Sequence, residues 1–142
     1  MSHEGKTGLA PLREPEADGK PFWAAAAEGR LVLQQCQACG KTRFPPRHQC
    51  PHCWSPDAQW KDASGQGEIE SVTIVRRAPT AVFRDLVPYA IVAVTLPEGV
   101  RMITNLIGDG ALDGQIGDKV VVVFESRPNG ALPQFQLAEL KR

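Results

Sequence analysis

Cys36-Gln37-Ala38-Cys39-Gly40 and Cys50-Pro51-His52-Cys53 are two CxxC pairs with ten residues between them, and they contain all four cysteines of the chain. A CxxC turn places both sulfurs on one ion, and two such turns supply the four thiolates of a closed tetrahedral zinc site. Gly40 after the first pair and Pro51 inside the second suit the tight knuckle backbone that aims amides at sulfur. Three other uses of four cysteines compete with zinc. Disulfides need an oxidising compartment, whereas Met1 leads into a polar, charged stretch without the apolar centre of a secretory signal, which points to the cytoplasm. A dithiol redox pair comes as one CxxC at a helix start near a βαβ unit, not as two pairs punctuated by proline and glycine. Iron in a rubredoxin-like site would use the same four sulfurs, and spacing alone does not separate it from zinc.

The segment that holds the cysteines is too short to bury a core, so a metal must supply its folding energy. A chain of 142 residues then accommodates a metal-stapled module beside a domain of about 80 residues. The expected organisation is an N-terminal tail and short helix over 1–34, a zinc ribbon over 35–61 and a β domain over 62–142. Lys+Arg and Asp+Glu are both 16, so no net charge draws the chain to nucleic acid or to an anionic membrane. No run of eighteen apolar residues is present to span a bilayer. With Met1 and Met102 as its two methionines, the chain offers no Met-rich adaptable surface.

Residues 1–18 mix charge with proline and few large apolar side chains, which predicts a loosely held tail. Pro21 to Gly29 reads as a helix: proline in the first turn, Ala24 to Ala27 as strong helix formers, glycine as the cap. So short a helix is not stable alone. Phe22 and Trp23 must therefore be buried, on the downstream domain, on another copy of the chain, or on a partner. Arg30 to Gln35 alternates as a strand into the first knuckle, and Lys41 to Phe44 returns until Pro45-Pro46 ends the pairing. Trp60 follows the second knuckle, where an aromatic would cover the metal site or seal the join to the next module. Beyond Gly65 five strands are predicted, Glu68 to Val75, Tyr89 to Leu96, Val100 to Leu106, Lys119 to Glu125 and Gln134 to Leu137. The second and third are joined as an antiparallel hairpin over Leu96-Pro97-Glu98-Gly99-Val100. A five-stranded OB-type barrel fits this order, with the helix between strands three and four missing or vestigial in a glycine-rich connection. A sandwich is the alternative.

The chain resembles a family of two-module proteins, a rubredoxin-like zinc ribbon followed by an OB-fold, associated with thiolase-like enzymes of acyl-CoA metabolism. The resemblance runs through Phe22-Trp23, Glu28-Gly29-Arg30-Leu31, both CxxC pairs, Phe44-Pro45-Pro46-Arg47, Trp60, Ser64-Gly65, Gly67 and Ser71-Val72-Thr73. It continues through Pro88-Tyr89, Leu96, Glu98-Gly99-Val100 and Ile116-Gly117-Asp118-Lys119-Val120, leaving only the N-terminal tail and the last residues outside. It implies a mainly β protein with structural zinc on Cys36, Cys39, Cys50 and Cys53. It further implies no catalytic centre of its own, acyl-CoA as ligand and a thiolase-like partner. No sharp motif carries the coenzyme site, so that part follows from chemistry. A coenzyme with a 3′-phosphate and a diphosphate needs cations beside an apolar groove. Three patches meet the need: Lys41, Arg43, Phe44 and Arg47 in the acid-free span between the knuckles; Arg76-Arg77; and Arg84. Each patch alone can equally be a solvated face.

His3 falls in the tail and His48 and His52 in the metal segment, so no nucleophile and base constellation is legible. The rival function is a nucleic-acid-binding zinc-ribbon and OB-fold module. Aromatics at 6% and net zero charge argue against it. A third reading, electron transfer through iron, would give a coloured protein with a reversible redox couple.

Overall fold

A computed structural model of the chain describes Leu12 and residues 17–139. Most of the predicted tail lies outside the described residues. At Leu12 the backbone is bonded in both directions by one side chain, its N–H donating to Asn129 Oδ1 at 2.9 Å and its carbonyl accepting from Asn129 Nδ2 at 3.0 Å. A 3-10 turn at Ala17–Gly19 leads into helix α1, Lys20–Ala27. Glu28 and Gly29 close its last turn on the carbonyls of Ala25 and Ala26. The helix buries Phe22, Ala25 and Ala26 and lies against the final strand of the barrel and the first strand of the ribbon. Phe22 meets Trp23 edge to face at 5.2 Å and Phe44 at 5.4 Å. The aromatic pair is thus packed within its own chain, and the packing supplies what eight residues of helix cannot.

The ribbon is a three-stranded sheet ordered β2-β1-β3, with β1 at Val32–Cys36, β2 at Thr42–Arg43 and β3 at Ala58–Asp62. Central β1 is antiparallel to both neighbours, setting Gln34 opposite Arg43 on one side and Trp60 on the other. Trp60 packs on the shared hydrophobic core, which gives it the sealing role of its two predicted ones.

The remaining strands are β4 at Gln66–Val75, β5 at Tyr89–Thr95, β6 at Arg101–Leu106, β7 at Lys119–Arg127 and β8 at Gly130–Leu137. They close into a barrel ordered β4-β5-β6-β8-β7. This is the OB-fold, and the sandwich alternative falls. The β5–β6 hairpin turns as predicted, with Leu96 and Val100 joined at 2.9 Å. A 3-10 turn at Ala111–Asp113 is all that stands where many OB barrels carry a helix. β4 bulges between Ile69 and Ser71, which bends the strand around the barrel. Gly67 lets β4 and β5 approach, since a Cβ there would sit 2.4 Å from Val94 Cγ1.

β6 and β8 share a single parallel pairing, Leu106 with Phe135. Side chains complete this seam: Gln134 Oε1 accepts from the Thr104 hydroxyl at 2.7 Å and from the Asn105 N–H at 3.0 Å. One hydrophobic core runs through everything. It joins Phe22 of the helix and Leu31 and Leu33 of the ribbon to Ile69, Val92, Val94, Leu96, Leu106 and Phe135 of the barrel.

Candidate metal centre and adjoining clefts

The two knuckles are built alike. In the first, Gly40 N–H donates to the Cys36 carbonyl and Cys36 N–H to that of Lys41; in the second, Trp54 donates to Cys50 and Cys50 to Ser55. Backbone amides face sulfur in both, Cys39 N–H on Cys36 Sγ and His52 N–H on Cys50 Sγ, each at 3.4 Å. The equivalence places Trp54 where the first knuckle has glycine, at φ 69° against 79° for Gly40. A bulky side chain in that region costs roughly 1–2 kcal/mol, and Trp54, 73% exposed, has little packing to offset it. Trp54→Gly is therefore expected to leave the metal-loaded ribbon as stable or to raise it by up to about 1 kcal/mol in thermal melts. A loss of similar size would mean that the indole holds the fold.

All four cysteine sulfurs lie within 4.8 Å of one another, with Cys36 and Cys53 at 3.5 Å and Cys39 and Cys50 at 3.7 Å. A tetrahedron with zinc–sulfur bonds of 2.3 Å has edges of about 3.8 Å, so the four donors fit a single ion. Cys36 and Cys50 are buried while Cys39 and Cys53 face outward. The Cys39 amide is the largest influence on Cys36 and takes its thiol down to about 6, against burial. Burial acts most strongly on Cys50, in the upward direction, yet the His52 and Cys53 amides bring it below the usual thiol range. Cys53 is pulled down by the Ser55 amide, but its contacts with Cys36, Cys39 and Cys50, together with burial, take it up to about 11. The amides thus favour the thiolate at Cys36 and Cys50, the form in which sulfur binds a cation.

The seven predicted coenzyme residues do not form one surface. Arg43 is 5% exposed; its Nε donates to Gln34 Oε1 and its Nη2 to the Arg47 carbonyl, both at 3.0 Å. Gln34 Oε1 also accepts from the Arg47 N–H at 2.7 Å. Arg43 and Gln34 thereby fasten the loop between the knuckles to β1. Arg43, Phe44 and Arg47 line a cleft of about 400 Å³ between ribbon and barrel, together with His52, Gly99 and Arg101. Lys41 is exposed beside the first knuckle, Arg76 and Arg77 follow β4 and Arg84 follows a 3-10 turn at Ala81–Phe83, all in solvent. None of these four lines the 400 Å³ cleft. Arg101 had no sequence signal, because only the β5–β6 register swings it toward the ribbon.

A second cleft, about 550 Å³, opens at the β6–β8 seam. Phe83 and Tyr89, with rings 5.8 Å apart, and Leu112 form apolar walls. Gln134, Asn105 and the Arg127–Glu125 ion pair, at 2.6 Å, supply polar groups. Sequence reasoning missed this cleft, whose residues come from four separate segments.

The sequence matches the rubredoxin-like zinc ribbon domain of ChsH2 over residues 23–57 and the C-terminal OB-fold domain of ChsH2 over residues 60–125. A DUF35 domain-containing scaffold protein of Methanothermobacter thermautotrophicus is 34% identical over 95 residues, 66% of this chain and 71% of that protein. The chain belongs to the DUF35 family. A probable enoyl-CoA hydratase alpha subunit of Thermomonospora curvata is 40% identical over 131 residues. That alignment takes in 92% of the DUF35 chain described above but spans only 40% of the Thermomonospora protein. A chain of the solved Ltp2-ChsH2(DUF35) aldolase superposes with a TM-score of 0.80 at 35% identity, covering 90% of this chain and 100% of that one. A DUF35 structure from Sulfolobus solfataricus, 16% identical with a TM-score of 0.63 and 85% coverage of each chain, shares the fold.

Proposed function

We propose that this DUF35 chain is a non-catalytic scaffold that binds acyl-CoA and associates with a thiolase-like enzyme. In this reading zinc on Cys36, Cys39, Cys50 and Cys53 holds the ribbon, and the organisation is tail and helix over 1–34, ribbon over 35–61 and barrel over 62–142. The observation that carries the proposal is the end-to-end likeness to the chain of the Ltp2-ChsH2(DUF35) aldolase. Two further matches support it: DUF35 relatives described as scaffold proteins and one described as an enoyl-CoA hydratase subunit. Four thiolates on one zinc leave no open coordination position, which favours a structural over a catalytic metal. For the phosphate groups of the coenzyme the candidates are three separate patches, Lys41, Arg43 and Arg47 with Phe44 beside them, Arg76-Arg77, and Arg84, and one of them suffices. The setting is cytoplasmic. No described helix is long and apolar enough to cross a membrane.

The outer face of β5 and β6 speaks against nucleic acid as the ligand. At its centre Ala93, itself buried, pairs with Ile103, which is among the most exposed apolar residues, where a strand-binding barrel would set aromatics and cations. The test is size-exclusion chromatography of the zinc-loaded chain with a purified thiolase-family subunit. Co-elution in a fixed ratio is expected, and separate elution with every candidate subunit would sink the proposal.

A further inference from the structure

We infer that the cleft between the ribbon and the β5–β6 turn is a phosphate subsite, in which Arg43, Arg47 and Arg101 take the phosphorylated nucleotide end of the coenzyme. The inference rests on the acyl-CoA reading above and assigns that ligand's anionic end to one of several candidate surfaces. Charge makes the selection. The 400 Å³ cleft has three arginines and no carboxylate among its lining residues, and among the described residues Arg101 alone of the three is ion-paired, to Glu70 outside the lining. The larger cleft at the β6–β8 seam carries Asp109, Asp113 and Glu125 against Arg127, and a third, beside β4, carries Glu68 and Glu70 against Lys119. A multiply charged phosphate ester is repelled or left unpaired in both of those.

The donors in the junction cleft are positioned and have unused capacity. Arg43 is nine-tenths buried and more, and its Nη1, enclosed and without a hydrogen-bond partner, offers an anion in the cleft its charge, not a direct bond. A buried guanidinium without an acid beside it is costly unless an anion completes it. Arg47 is held by its backbone at both N–H and carbonyl, while its exposed side chain makes no hydrogen bond or ion pair among the described residues. Arg101 gives Nε and Nη2 to Glu70, at 2.9 and 2.7 Å. A guanidinium has five N–H donors, so the Nη1 edge of Arg101 stays available. Arg47 donates from the ribbon and Arg101 from the barrel, so an anion held by both, over the charge of Arg43, would also bridge the two modules. Arg76, Arg77 and Arg84, outside any such enclosure, are left as solvated charge.

Calorimetric titration of the full zinc-loaded chain with CoA, dephospho-CoA, adenosine 3′,5′-bisphosphate and a single-stranded oligonucleotide tests this. CoA and the bisphosphate are expected to compete for one site, with dephospho-CoA weaker. Arg47→Glu, which leaves the buried latch intact, is expected to weaken CoA roughly tenfold or more, and Arg101→Gln to weaken it less. The paired change Arg76→Ala with Arg77→Ala should leave binding unaltered. If CoA binds Arg47→Glu as tightly as the parent chain, the subsite is overturned while acyl-CoA binding stands. If the bisphosphate binds through Arg47 but acyl-CoA does not, the subsite stands and the coenzyme reading falls. Absence of binding by any phosphorylated probe, or Arg47-dependent binding of the oligonucleotide in preference to CoA, overturns the subsite itself.

Discussion

A Cys50→Ser chain is expected to purify with far less than one zinc per molecule and with its ribbon unfolded. Cys50 is 1% exposed, its sulfur sits 3.7 Å from that of Cys39, and its backbone closes the second knuckle onto Trp54 and Ser55. Serine offers a hard, protonated oxygen where the site needs a soft anionic sulfur. The energy at stake is large. Structural zinc in small modules contributes roughly 10–16 kcal/mol at neutral pH, comparable to the whole stability of a domain, about 5–15 kcal/mol. A sheet of three short strands, one of them two residues long, has nothing to replace it. Elemental analysis and amide exchange provide the check: protection should vanish across β1 to β3. Leu31 and Leu33 belong to the common core, so the barrel should melt earlier as well. Full zinc content and an unchanged melt would refute the tetrathiolate.

Phe135→Ala is expected to lower stability by about 3–5 kcal/mol in urea titrations, enough to leave the barrel marginal. The ring is 0% exposed and sits at the one backbone pairing between β6 and β8, where its carbonyl also accepts the Ile107 N–H at 2.8 Å. Truncation therefore opens a cavity at the weakest seam. Phe135→Leu keeps most of the volume and should cost less than half as much. A loss under about 1 kcal/mol for the alanine variant would mean that the seam closes by other contacts.

The metal centre was legible because ligand chemistry fixes residue type and spacing together; two CxxC pairs have few other uses. Four barrel strands were placed nearly in full by their runs of β-branched residues. β8 was not: it begins at Gly130, four residues before the predicted Gln134, because Gly130 and Pro133 read as breakers. Pro133 is tolerated because β8 is barely paired on its β6 side, where Thr104 and Gln134 supply the bonds instead. β3 was missed outright, since Ala58-Gln59-Trp60-Lys61-Asp62 holds only one strong strand former. Its pairing comes from the ribbon's third edge, a tertiary fact. Among the cations, sequence alone makes Arg43 one of several coenzyme candidates, in the span between the knuckles. The structure gives it a loop-fastening role, which depends on Gln34 opposite it across the β1–β2 register.

Turnover of an acyl-CoA substrate by a purified thiolase-family subunit, measured alone, with the zinc-loaded chain, and with the chain by itself, addresses the scaffold claim most directly. No turnover is expected from the chain by itself, and a clear gain when the two proteins are combined. Turnover by the isolated chain, or a partner wholly indifferent to its presence, would contradict the scaffold role.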